Sequence, residues 1–80
     1  MNFEEMGIPD GAVLVFAKNK EIRVYVNGID KVIYNNQETS LTPLTRELLN
    51  LPYNVQPSRY WIYEDKTLRD IYEDTYTNIE

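Results

Sequence analysis

Between Ile22 and Leu48 the apolar residues change their spacing, and that change restricts the chain to a mixed fold. Ile22, Val24 and Val26 alternate with Arg23, Tyr25 and Asn27, the period-two pattern of a strand with one face in a core and the other in water. Leu41, Leu44 and Leu48 then recur three and four apart, which stacks them on one face of a helix. A chain carrying both periods in succession buries a sheet face against helices.

The remaining segments extend this pattern. Phe3 and Met6 suit one helical turn before Gly7-Ile8-Pro9-Asp10-Gly11 breaks regular structure. Ala12 to Phe16 is apolar throughout and reads as a central strand buried on both faces. After Lys18-Asn19-Lys20 and the alternating strand, Asn27-Gly28 supplies a tight hairpin turn, with Lys31 to Tyr34 returning antiparallel. Asn35-Asn36 makes a second turn, and Gln37 to Thr39 a short edge strand. Thr42-Pro43 opens a helix, with threonine as cap and proline in the first position, and Asn50 and Pro52 end it. Tyr53 to Ser58 is a loop, and Arg59 to Tyr63 an aromatic strand. Thr67 and Asp70 form a capping box for a last helix whose face is Leu68, Ile71, Tyr72 and Thr75. The expected fold is therefore α+β: a small antiparallel sheet of four to five strands with two helices packed on one face, the other face left to solvent or a partner.

Eighty residues support one core, and a domain of this size buries only roughly 60–65% of its unfolded surface. The chain reads as a single soluble domain over residues 1–80, a piece of a larger protein. At 42% hydrophobic and 26% charged residues, its composition is that of a globular domain. The longest apolar run, Ala12 to Ala17, is far short of the roughly 20 residues of a membrane span. The residues preceding it are acidic, unlike a signal peptide. With no cysteine to form disulfides, the cytoplasm is the default location.

Histidine is absent as well, which removes the commonest general base, the thiol nucleophile and the usual transition-metal ligands together. The carboxylate pairs Glu4-Glu5, Glu64-Asp65 and Glu73-Asp74 point apart on any regular element and read as solvated surface. No glycine-rich phosphate loop occurs. The expectation is a binding module, not an enzyme, with no catalytic residue, metal or cofactor.

Seven tyrosines and one tryptophan exceed the needs of so small a core, so some aromatic rings must reach the surface. Arginine among aromatics suits a protein interface or the stacking of bases. On a strand Arg59, Trp61 and Tyr63 share one side, with Arg46 approaching from the preceding helix. Arg23 beside Tyr25 is a second such pair. These six residues are the candidate nucleic-acid or partner-binding set. Trp61 also reads as the anchor of the core, and Tyr25 as half of a cross-strand packing pair.

In order, GIPDGAVLVF within Phe3 to Phe16, IRVYVNGIDKVIYNNQETSLTPLTRELL from Ile22 to Leu49 and RYWIYEDKTLRDIY from Arg59 to Tyr72 resemble the RAMA domain, a module associated with restriction enzymes and adenine methylases. Ser40, Thr42, Trp61 and Leu68 fall on its patterned positions. The chain departs from it in a leucine-rich rather than alanine-rich helix, and in Asn54 to Ser58 replacing a glycine-asparagine-tryptophan approach. The resemblance implies a non-catalytic accessory module of a restriction-modification or other DNA-processing system, contributing to recognition of DNA, including modified DNA. Its partners would be DNA or a methylase or nuclease subunit.

The net charge of −5 disfavours phosphate backbones and keeps open a protein-interaction domain or an acidic phage-type mimic of DNA. Charge geometry separates the three. A basic stripe of Lys18, Lys20, Arg23, Lys31, Arg46 and Arg59 favours DNA, an apolar tyrosine-rich patch a protein, and spaced carboxylates on one face a mimic.

Overall fold

The computed structural model describes residues 2–76. In chain order it contains β1 (Val13–Phe16), β2 (Arg23–Asn27), β3 (Lys31–Tyr34), β4 (Gln37–Thr39), α1 (Leu41–Leu49), a 3₁₀ turn at Pro57–Arg59, β5 (Trp61–Tyr63), β6 (Lys66–Thr67) and α2 (Leu68–Tyr76). The strands form one antiparallel sheet of six, ordered β4-β3-β2-β1-β5-β6. β1 to β4 run as a meander. After α1 the chain returns to place β5 on the free side of β1, where Val15 stands opposite Ile62 and Phe16 opposite Trp61.

Turn chemistry sets this layout. Asn35 and Asn36 both have positive φ, 52° and 65°, and link Tyr34 to its partner Gln37 as a two-residue hairpin turn. Glu64 and Asp65 do the same at 49° and 73°, pairing Tyr63 with Lys66. That hairpin adds β6, one strand more than the four to five expected. It went unread because glutamate is not a usual occupant of such a turn. The Asn27-Gly28 connection is longer than expected: Asn27 pairs with Lys31, so residues 28–30 form the loop.

The first helix starts earlier than Thr42. Ser40 holds the N-cap position without a side-chain capping bond, and its hydroxyl accepts from Lys31 Nζ at 3.0 Å. Pro43 is thus the third helical residue, still among the four whose N–H lacks a helical partner. Asn50 ends the helix as expected, in the left-handed region at φ 56°. Leu51 N–H reaches Arg46 O and Asn50 N–H reaches Glu47 O, each at 3.1 Å, a Schellman closure. Thr67 caps α2, its Oγ1 accepting from Asp70 N–H at 3.2 Å.

One face of the sheet meets the core. Leu14 and Phe16 of β1, Val24 and Val26 of β2, Val32 of β3 and Trp61 of β5 are buried with Leu41 and Leu44 of α1, Leu68 of α2 and the N-terminal Phe3, Met6 and Ile8. Both helices therefore cover the same face. The run Ala12 to Phe16 is central but buried on one side only, since Val13 is 41% exposed. A continuous apolar run fits two-sided burial only where a second layer exists. Ile22, Leu48 and Ile71 lie half-buried at the rim. On α2 the packing face is Leu68, Ile71 and Tyr76, whereas Tyr72 is exposed and the Thr75 hydroxyl turns back to donate to Ile71 O at 2.8 Å.

Burial ranks these positions. Leu68→Ala removes a fully buried side chain, with an expected loss of about 2–5 kcal/mol from a domain whose total is on the order of 5–15 kcal/mol. Leu48→Ala, at a half-buried site, should lose clearly less. Urea denaturation of both variants checks the order, and equal losses would contradict the assigned core. A second expectation concerns pH. The Tyr76 hydroxyl donates to Glu5 Oε1, tying α2 to the N-terminal turn. That bond first, then desolvation and the Glu5 charge, pushes the Tyr76 pKa up to about 12 from 10.0. Since the folded value lies above the unfolded one, the tether is fully present below pH 10 and is lost as pH rises from there through about 12. Melting temperatures of the parent and Tyr76→Phe should accordingly differ at pH 8 and converge toward about pH 12; a constant difference would refute the tether.

Candidate interaction surface

Alternation along the strands puts a second set of side chains on the face away from the helices. Register arranges them in two rows. Glu38, Ile33, Tyr25 and Val13 stand side by side across β4, β3, β2 and β1. Two residues along the strands, Arg23, Val15, Ile62 and Thr67 do so across β2, β1, β5 and β6. Tyr25 is 51% exposed, Val13 nearly as open, and Val15, Ile33 and Ile62 are half-exposed. Among the described residues no helix lies over this face. Its middle is apolar and its margin charged: Val13, Val15 and Ile62 line a shallow groove with Lys20, Glu64 and Asp65, while Arg23, Tyr25 and Ile33 line another with Glu21, Asn35 and Asn36.

Of the six sequence-level candidates, Arg23 and Tyr25 lie on this surface, both exposed. The other four lie elsewhere. Trp61 is fully buried, its indole Nε1–H donating to Thr45 Oγ1 at 2.8 Å and its ring 5.0 Å from that of Phe16. Trp61 and Tyr63 share the covered side of β5 as expected, but Arg59 does not join them. Pro57 starts a 3₁₀ turn that ends at Arg59, Tyr60 N–H closes onto Pro57 O at 2.9 Å, and β5 begins only at Trp61. Arg59 is exposed on that turn. Tyr63, half-buried on the helix side of β5, has its pKa raised by burial and then by Glu64. Arg46 is exposed on α1, and its Nε donates to Leu51 O at 3.3 Å, securing the helix end.

The three candidate arginines thus form no common stripe: Arg23 projects from the open face, where Lys31 stands beside Asn27 in line with Ile33, whereas Arg46 and Arg59 sit on elements of the covered side. Lys66 and Arg69 are paired with Asp74 and Glu73, at 3.1 and 3.3 Å. Sequence reasoning missed Val13, Val15, Ile33 and Ile62 as surface. The parity of Val13 and Val15 against Leu14 and Phe16 was the available signal, masked by the unbroken apolar run. Among the described residues no cluster of three or more acidic side chains could hold a metal ion, and no helix is long and apolar enough to cross a membrane.

No family model, curated protein or solved structure matches this chain. The RAMA-like reading rests on the order of its motifs.

Thr45 accepts the buried indole proton, so Thr45→Val should leave that donor unsatisfied at a loss of about 1–3 kcal/mol. Thr45→Ser should retain most of the stability. Chemical denaturation followed by Trp61 fluorescence measures both, and a Thr45→Val protein as stable as its parent would show that the bond contributes nothing.

Proposed function

We propose that this domain is a non-catalytic binding module and that its ligand is a protein surface docked on the open face of the sheet. The supporting observation is the unpartnered apolar patch of Val13, Val15, Tyr25, Ile33 and Ile62, rimmed by charges of both signs. An apolar centre with a polar margin is the anatomy of a protein interface, and an exposed tyrosine at its middle is the residue type that anchors one. The net charge of −5 and the scattering of Arg23, Arg46 and Arg59 over different faces agree with a protein partner better than with a phosphate backbone.

DNA recognition, as an accessory part of a restriction-modification or other DNA-processing system, is the second reading. Arg23 and Tyr25 favour it, because they share one face of β2, as a cation and a ring that stacks on a base would. Two measurements separate the readings. A photo-crosslinking residue at Tyr25 should give protein adducts in the source cell, while the same residue at Tyr53, exposed in the loop after α1, should not. Titration at low salt with single-stranded, duplex and adenine-methylated DNA should give no saturable binding. A salt-sensitive affinity that Arg23→Ala weakens would transfer the function to DNA.

A further inference from the structure

We draw no further inference here: the strongest candidate, the groove on the open face of the sheet lined by Val13, Val15 and Ile62 with Lys20, Glu64 and Asp65, belongs to the docking face already described, and nothing in the structure shows what covers it.

Discussion

The rest of the structure depends on the seat of Trp61. Its ring is fully enclosed and tilted against Phe16 of β1, and its one polar atom is satisfied by Thr45 of α1. A single side chain thereby joins the late strand, the central strand and the first helix. Burying an indole without a partner for its N–H would forfeit much of what its apolar area contributes. Thr45, fully buried on a helix face otherwise made of leucine, has a physical reason to be there. That bond and the burial of Leu41 and Leu44 together fix α1 against the sheet.

A second constraint is register. Because side chains alternate, a slip of one residue would send Leu14, Val24 and Val32 to solvent and bring Val13, Tyr25 and Ile33 into the core. Two tight turns guard against it, at Asn35-Asn36 and Glu64-Asp65. Asn tolerates the left-handed region through its short polar side chain, while Glu has no such advantage. The second turn is held by what flanks it: Trp61 buried on one side and Thr67 capping α2 on the other. The composition of the open face is thus a product of turn geometry as much as of the residues on it.

The class of fold, the meander, the Asn35-Asn36 turn and both helices were legible because each rests on a local rule, namely periodicity or the conformational preference of a turn residue. Sheet order was not, since nothing local tells β5 to pair with β1. The covered side of β1 was hidden because Val13 to Phe16 is apolar at every position. Arg59 was misplaced because Pro57 bends the chain before the aromatic strand begins, and Trp61 proved to be the core anchor that was one of its two readings. For the surface, Arg23 and Tyr25 were found through an aromatic beside a cation. Their apolar neighbours came from strands distant in sequence and needed the fold to assemble them.

The pairing of β1 with β5 joins residues 15 and 62, so the strand at the centre of the sheet completes its ladder only after most of the chain exists. The entropic cost of closing so wide a loop grows only slowly with its length, yet contacts of this separation slow the search for the native state. The face carrying Leu14, Val24 and Val32 is covered by the N-terminal Phe3, Met6 and Ile8 and by Leu41 and Leu44 of α1, but at β5 it is sealed only by Trp61. During synthesis one late tryptophan thus completes the sealed surface, while the face of Val13, Tyr25 and Ile33 stays open.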